Sequence, residues 1–342
     1  MKSRMLTAGL GVALVVTALG DVAVRTQQPA ASGARAVITK DTVERWMSEL
    51  SNWGRWGQDD QLGSLNLVTP EKKRQAMALA RTGTVVSLER TVALQQKDAE
   101  IRADSKPSGV AYYEMRFRTF PKGDKRGNDR YSSDIQEFAV HGGLLTHLDA
   151  LCHYSWNEKL YNGYAIEAVN QDNGCTRDSL DNLKEGIVTR GILVDMTRLR
   201  TTTPRDPAAT RIYPEDIEAW ERQTGIRVSA GDALFAYNPA PPAAAGARAG
   251  GGGARGFDLS VVPWMKTRGV AVTSGVLSIP DDGHAGHRLT LVALGTYLID
   301  GVDLTRLAET AARLNRWEFL LVVAPVPAQG STGFPVNPLA MF

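Results

Sequence analysis

Residues 141–153 read HGGLLTHLDALCH, and this short segment holds three of the five histidines in the chain. His147 and Asp149 are two positions apart, so an extended strand would place both side chains on one face. His153 follows Asp149 by four positions, and a helical turn after Asp149 would bring these two together. The segment therefore predicts a strand that ends in a helical turn, with imidazole and carboxylate groups converging.

The converging groups indicate a metal site. Imidazole nitrogens and carboxylate oxygens are suitable ligands for a divalent ion of intermediate hardness. His141 would share the face of His147 on an uninterrupted strand, although Gly142 and Gly143 could bend or bulge that strand. The alternative is a set of hydrogen-bonded core residues. We favour metal binding, because a chain that uses histidine so sparingly places three of them here.

The other two histidines lie in residues 280–289, PDDGHAGHRL, where glycine and aspartate indicate a loop. An apolar run over 289–299 follows and ends at Asp300. A carboxylate that closes a buried run is costly unless it is paired or bound to metal. We therefore predict that His287 and Asp300 supply the far wall of the metal site, with an ordinary turn carboxylate as the alternative for Asp300.

Helical and strand patterns alternate without a repeat, which indicates an α/β or α+β chain with a single catalytic domain. Thr69, Pro70 and Glu71 are typical of a helix start. The predicted helices cover 42–50, 70–81, 213–225 and 303–314, and the predicted strands cover 84–88, 191–196, 232–237, 269–273 and 317–324. Residues 243–256, rich in glycine and alanine, predict a flexible insertion.

The overall composition excludes several classes of protein. Its 39 basic and 37 acidic residues give a net charge of +2, too small a basic excess for a general nucleic-acid-binding protein. A hydrophobic content of 43% excludes a disordered chain. Two cysteines cannot form a disulfide scaffold or a zinc site of four thiolates. These numbers indicate a globular protein, and we predict no nucleic-acid partner for it.

The N-terminus has the pattern of a secretory signal peptide. Lys2 and Arg4 precede the uncharged stretch 6–20, which is shorter than the roughly 20 residues of a transmembrane helix. We predict a signal peptide and linker over 1–36, a catalytic domain over 37–342, and export to the periplasm or out of the cell. Cleavage would leave no stable membrane span, and an uncleaved anchor helix is the alternative.

The two cysteines bear on the same prediction. In an oxidising compartment Cys152 and Cys175 could pair. We nevertheless favour a buried free thiol for Cys152, because it lies within the histidine-rich segment beside the predicted site.

Residues 146–153 resemble the core of the motif HxGTHxDxPxH of the metal-dependent cyclase family, which includes bacterial kynurenine formamidase and isatin hydrolase. Further stretches resemble the longer members of that family, namely WGQDDQLG at 56–63, YNG at 161–163, WEF at 317–319 and GFPVNP at 333–338. The resemblance covers most of the chain after residue 40. It implies a hydrolase domain over 37–342 with a mixed β-sheet, barrel-like core and flanking helices.

The resemblance also implies roles for individual residues. His147 and Asp149 would be metal ligands, and Asp149 could bridge two ions. His287 resembles a later ligand of the family, and Asp300 stands where the family often has Glu. His153 would transfer protons.

Some departures from the family pattern concern the predicted site directly. The first ligand of the family, four residues before His147, is replaced by Gly143, and His141 could substitute for it through a bulge. Leu151 replaces the proline of the motif. These departures leave the number of ions open, and the bound metal would be zinc or manganese.

The resemblance implies hydrolysis of an amide-type bond, such as that of an aryl formamide or a cyclic amide, or of a lactone. Metal-activated water would attack, with His153 as general acid and base. Trp56 is a candidate wall for an aromatic or cyclic small-molecule substrate, unless it only packs its helix onto the core. The family resemblance also predicts a homodimer or homotetramer. The alternatives are a non-catalytic metal- or solute-binding protein of the same fold and an inactive relative.

Overall fold

The computed structural model describes Arg35 and the ranges 37–90, 113–119, 132–141, 144–199, 210–240 and 255–342. The predicted signal peptide, most of the linker and most of the predicted insertion lie outside these ranges, whereas Gly256, the last residue of that insertion, lies in a strand. The chain divides into the units Met1–Val37 and Ile38–Phe342, and the elements below belong to the second. Within the described ranges, no helix combines the length and apolarity that a membrane span requires.

The helices and strands of the described ranges follow one another in mixed order. The helices are α1 (Lys40–Glu49), α2 (Pro70–Met77), α3 (Pro214–Thr224), α4 (Val261–Arg268), α5 (Ala285–His287), which continues into the π-helix Arg288–Leu294, and α6 (Thr305–Leu314). Short 3-10 turns cover Gly63–Leu67, Leu151–His153, Tyr161–Gly163, Ile166–Ala168 and Leu180–Leu183. The strands are β1 (Val85–Ser87), β2 (Tyr113–Thr119), β3 (Ser132–Phe138), β4 (His147–Asp149), β5 (Val169–Asn170), β6 (Gly174–Cys175), β7 (Ile187–Asp195), β8 (Arg211–Ile212), β9 (Ala233–Tyr237), β10 (Gly256–Phe257), β11 (Val272–Thr273), β12 (Tyr297–Asp300), β13 (Glu318–Val323), β14 (Gly333–Pro335) and β15 (Leu339–Met341).

A nine-stranded mixed sheet organises the fold, in the order β1-β15-β13-β7-β9-β11-β12-β4-β14. The central strands β7, β9, β11 and β12 run parallel to their neighbours in that group. The pairings toward both edges are antiparallel. The sheet curls into a half-barrel with flanking helices, which confirms the predicted α/β class with a mixed core.

Both faces of the central strands are apolar, because helices cover each side of the sheet. Leu193 of β7 and Phe235 of β9 belong to the buried cluster that includes one face of α6. Ile192 and Leu234, the alternate residues, belong to the cluster that includes α1, α3 and α4. Central strands buried on both faces appear in a sequence as continuous apolar runs, which is why they could be predicted.

Local capping explains where the predicted helices begin and end. The side chain of Thr69 accepts a hydrogen bond from the N–H of Lys72, and Pro70 begins α2 as predicted. The helix ends at Met77 rather than at 81, because the following residues make tighter 3-10-type bonds. Gly225 ends α3 in the left-handed conformation (φ 73°), which glycine adopts without strain.

The apolar run over 289–299 divides into two elements of different kinds. Its first part belongs to the π-helix that follows His287, and its last part to β12. Gly295 separates them with φ 62°, and a Cβ atom there would lie 2.9 Å from the Cα of Gly63. Only glycine permits this close approach. The break returns the chain to the sheet so that Asp300 ends β12.

Candidate metal centre

Strand β4 carries the first part of the site. His147 and Asp149 are its first and third residues, so they share one face of the strand as predicted. The 3-10 turn Leu151–His153 follows directly and brings His153 back toward that face. In the antiparallel pairing with β12, Asp300 lies directly opposite His147. Cross-strand neighbours in such a pair have Cβ atoms only about 5 Å apart.

The carboxylate of Asp149 lies at the centre of the cluster and is fully buried. Its Oδ1 lies 3.0 Å from Nδ1 of His141 and 3.4 Å from Nε2 of His147. Its Oδ2 lies 3.7 Å from Nε2 of His287. Neither oxygen has a partner in hydrogen-bonding geometry, and neither does Nδ1 of His141. Buried polar atoms without partners are rare, so this centre has unused capacity for a ligand.

Two groups of donors share this carboxylate. His147, Asp149 and Asp300 form one group, and His141, Asp149 and His153 form the other, with ligand atoms within 4.8 Å of one another in each. His287 completes the cluster, since its Nε2 lies 3.1 Å from Oδ2 of Asp300. The structure therefore brings together every residue that the sequence analysis assigned to metal binding, and it places His153 beside them.

His141 is held by Thr332, the residue directly before strand β14, a contact that the sequence analysis missed. Its Nε2 lies 2.9 Å from the hydroxyl of Thr332, which leaves Nδ1 facing Asp149. Gly333 lies against the ring, and a Cβ atom there would be 2.9 Å from Cε1 of His141. The stretch GFPVNP at 333–338, which begins at Gly333, was the sequence signal that could have indicated this contact. The predicted bulge at Gly142 and Gly143 lies outside the described residues.

The electrostatics of the cluster keep Asp149 ionised. Burial raises the pKa of this carboxyl, but the imidazoles of His141 and His147 outweigh burial and hold the pKa below its ordinary value. Burial lowers the pKa of His147, yet its contact with Asp149 raises it overall. Burial also lowers the pKa of His287, but the hydrogen bond and the charge of Asp300 raise it overall. A buried anion surrounded by imidazoles is a suitable environment for a cation.

His153 has a different electrostatic character from the other imidazoles. Burial, together with the charges of the neighbouring histidines, lowers the pKa of His153 to about 3 despite the opposing effect of Asp149. Its ring stacks on that of His141, with centroids 3.4 Å apart and planes 4° from parallel. In the metal-free chain His153 is therefore a neutral imidazole at pH 7.

The donor set fits a divalent ion. Both zinc and manganese accept imidazole nitrogens and carboxylate oxygens as ligands, and the cluster offers both kinds. The unpartnered oxygens of Asp149 are the atoms that such an ion would satisfy. Five residues other than His153 could supply the ligands, namely His141, His147, Asp149, His287 and Asp300. His153 could therefore be either a further ligand or a proton carrier.

The chain matches the model of a known protein family. Residues 73–275, more than half of the chain, match a family model described as "Putative cyclase". The chain belongs to the cyclase family. The resemblance noted from the sequence motifs is thereby confirmed.

Solved structures of cyclase-family folds resemble this chain along most of its length. A novel cyclase has 24% sequence identity and a TM-score of 0.67, with 85% of this chain and 99% of that chain covered. Isatin hydrolase A from Labrenzia aggregata, bound to benzyl benzoate, has 17% identity and a TM-score of 0.50, with 78% and 97% covered. Among curated proteins, none matches the sequence significantly. At these identities the likeness establishes the fold.

Two of the motifs that resemble longer cyclases hold each other in place. The amide nitrogen of Asn162 donates to the carbonyl groups of Gly57, Gln58 and Asp60. The hydroxyl of Tyr161 donates to the carboxylate of Asp60 over 2.8 Å. In this cyclase the segments 56–63 and 161–163 therefore stabilise a loop.

Tyr154 contacts the cluster, and the sequence analysis did not single it out. The ring of Tyr154 lies 4.6 Å from that of His153 and 4.8 Å from that of His287, and its hydroxyl lies 2.8 Å from Nδ1 of His284. Trp56 instead lies under the guanidinium of Arg55, at 4.7 Å. The role of Trp56 in substrate binding stays a prediction.

The two cysteines form a disulfide, so the free thiol favoured for Cys152 is wrong. Cys152 and His153 are consecutive in a 3-10 turn, and their side chains therefore leave the turn in different directions. Cys152 faces β6, where its Cα lies 6.4 Å from that of Cys175, within the usual range for a disulfide. Sequence proximity to the histidines did not place the sulfur beside them.

Proposed function

We propose that this cyclase-family protein is a metal-dependent hydrolase that cleaves an amide-type bond in an aryl formamide or a cyclic amide, or the ester bond of a lactone. One observation carries the proposal, namely the buried carboxylate of Asp149 whose two oxygens lack hydrogen-bond partners among surrounding histidines. Such an anion is costly to bury unless a cation joins it.

In this proposal the chain holds the metal with residues from three separate elements. His147 and Asp149 come from β4, Asp300 from the neighbouring β12, and His287 from α5. His141 would add a further nitrogen close to Oδ1 of Asp149, and the two donor groups that contain Asp149 are compatible with either one ion or two. When bound, zinc or manganese would polarise a carbonyl group and lower the pKa of water from about 15.7 to roughly 7.

His153 is the proposed general acid and base. It lies in the turn after β4, and one of its ring nitrogens lies within 4.8 Å of a carboxylate oxygen of Asp149. A side chain there could accept a proton from the attacking water and deliver it to the leaving nitrogen or oxygen. The geometry also allows His153 to be a ligand, and metal analysis of a variant separates the two roles.

The aromatic surroundings support an aromatic or cyclic small molecule as substrate. Tyr154 contacts two imidazoles of the cluster. Trp156 follows Tyr154 by two positions, and its ring lies 6.5 Å from that of Trp53. Flat rings of this kind bind flat apolar groups. The name of isatin hydrolase A describes a cyclic amide as the substrate of that structural neighbour, and this supports an amide-type bond here.

We also propose export and self-association for this protein. The signal-peptide pattern at the N-terminus and the disulfide between Cys152 and Cys175 both support an oxidising compartment. A homodimer or homotetramer is proposed from the family resemblance alone, and analytical ultracentrifugation of the purified protein tests it.

The proposed activity is tested by elemental analysis and a substrate screen. The purified protein should contain stoichiometric metal, and chelation should abolish activity that zinc or manganese restores. The screen should include aryl formamides, cyclic imides and lactones. Bound metal without hydrolysis of any of these classes would favour the alternative of a non-catalytic metal- or solute-binding protein, and absence of metal would refute the proposal.

A further inference from the structure

We propose that the disulfide between Cys152 and Cys175 positions His153 for the reaction. The inference deepens the proposed function and rests on it. Neither cysteine touches the reacting groups, so both are positioning residues. The argument comes from three features of the structure, namely the turn that carries His153, the segment that anchors the disulfide, and the stack of His153 on His141.

The first feature is the shortness of the connection between the disulfide and His153. Cys152 immediately precedes His153 in the 3-10 turn Leu151–His153, a turn too short to have rigidity of its own. The N–H of Cys152 donates to the carbonyl oxygen of Asp178 over 3.1 Å. This bond and the disulfide tie the turn to the same segment, 175–178, so a movement of Cys152 necessarily moves His153.

The second feature is the anchoring of the other end. The N–H of Cys175 donates to the carbonyl oxygen of Gly330 over 2.8 Å, and Sγ of Cys152 lies 3.8 Å from the carbonyl oxygen of Ser331. The next residue along the chain, Thr332, holds His141. One segment, 330–332, thus contacts the disulfide on one side and His141 on the other.

The third feature is the geometry that these two anchors produce. The rings of His141 and His153 are stacked with centroids 3.4 Å apart, although no hydrogen bond in the described residues joins them. A parallel stack of imidazoles has no directional bond of its own, so it depends on what holds each ring. Thr332 holds His141, and the disulfide holds the turn beneath His153.

A small reductant can approach this disulfide from outside the metal centre. Both cysteines are buried, with 3% and 4% exposure. Cys175 nevertheless lines an open polar cavity of about 620 Å³ together with Gln61, Ser179 and Asp181. A phosphine such as TCEP would reduce the disulfide to two thiols, with the phosphine oxidised to its oxide and water supplying the oxygen and the protons.

The test compares the wild-type protein, with and without TCEP, and the double variant Cys152→Ala/Cys175→Ala. Loss of the disulfide should lower kcat at least tenfold, whereas KM and metal stoichiometry should change less than twofold. Because TCEP weakly binds metals, the double variant treated with TCEP reports any effect of chelation. Thr176→Val, which removes the hydroxyl bond to the carbonyl oxygen of Ala168 and keeps the disulfide, is the matched control for a weakened segment.

A second readout does not depend on activity. With five histidines in the chain, their imidazole NMR signals can be assigned one by one in the metal-free protein. Reduction should shift the signals of His141 and His153, whose rings shield each other in the stack.

The outcomes separate the inference from the proposed function. Unchanged kcat and unchanged histidine signals in a folded protein without the disulfide would overturn the inference and leave the hydrolase proposal intact. A wild-type protein that hydrolyses none of the substrates overturns the hydrolase proposal, and the proposed role in the reaction with it. If the double variant fails to fold, the comparison of oxidised and reduced wild type gives the same decision.

Discussion

Asp149 and Asp178 are both fully buried, and the carboxylate oxygens of both lack hydrogen-bond partners, yet their surroundings are opposite. Asp149 lies among imidazoles, and those of His141 and His147 hold its pKa below the ordinary value against the effect of burial. For Asp178, burial and the nearby carboxylate of Asp60 raise the pKa to about 8. The same side chain is therefore an anion in one place and a neutral acid at pH 7 in the other.

The difference shows that burial alone does not make a metal site. Burial disfavours the charged form of both residues, and the neighbours decide whether that effect is overcome. Asp60 accepts hydrogen bonds from Gly63 and Tyr161, so it already has partners, and it offers Asp178 only repulsion. Asp149 instead has imidazole neighbours whose nitrogen atoms could bind the same cation, and the proposed metal ligands surround it.

The sharpest test of the comparison replaces each aspartate by asparagine. Asp149→Asn should lose bound metal and reduce kcat/KM by on the order of 10³-fold or more, because it removes the central charge that holds the cation. Asp178→Asn, the matched control, should keep both metal and activity. Metal content is measured by elemental analysis and kcat/KM on the best substrate of the screen. Full metal occupancy in Asp149→Asn would contradict the assignment.

His153→Ala should lower kcat by about 10² to 10⁴-fold, the usual contribution of a general acid and base. Metal content should remain close to that of the wild type, because the other imidazoles and carboxylates still surround the ion. An equal loss of metal and activity in His153→Ala would make this residue a ligand.

The support of His141 by Thr332 predicts a smaller effect. Thr332→Val removes the hydroxyl that holds Nε2 of His141, and we expect metal affinity to fall about 10- to 100-fold. Thr332→Ser keeps the hydroxyl and should retain most of the affinity. Titration of the metal-free proteins with zinc measures both. Equal affinities for the valine and serine variants would show that the hydroxyl does not support a ligand.

The mildest prediction concerns stability and pH. The unfolded chain releases the proton of Asp178 near pH 3.8, whereas the folded chain keeps it up to about pH 8. Below pH 3.8 the contribution of Asp178 to the free energy of unfolding is fully present. As the pH rises from 3.8 to about 8, this contribution is lost, by up to about 1.4 kcal/mol per pH unit. Urea unfolding of the metal-free protein at several pH values should show this slope. Asp178→Asn should flatten it, and an unchanged slope would contradict the assignment.

Local patterns in the sequence predicted part of this arrangement. The spacing of His147 and Asp149 on a strand predicted their common face, and capping residues predicted the start of α2 and the end of α3. The predicted contact between the two histidine groups is present, since His287 reaches Asp149 and Asp300. These features follow from the spacing of residues that are close in sequence, or from the concentration of all five histidines in two short segments.

The remaining features depend on contacts between distant parts of the chain. The bond between His141 and Thr332 joins residues 191 positions apart, and no local pattern indicates it. The disulfide depends on the direction in which a three-residue turn points Cys152. The apolar run at 289–299 is equally compatible with a helix and a strand, and the structure contains one of each.

The pairing of β4 with β14 has a consequence for the order in which the protein folds. Thr332, which holds His141, follows it by 191 positions in the chain. Contacts between such distant residues form only after a long loop has closed, and loop closure costs conformational entropy. We therefore expect the surroundings of Asp149 to be completed late in folding, after the local turns and helices have formed.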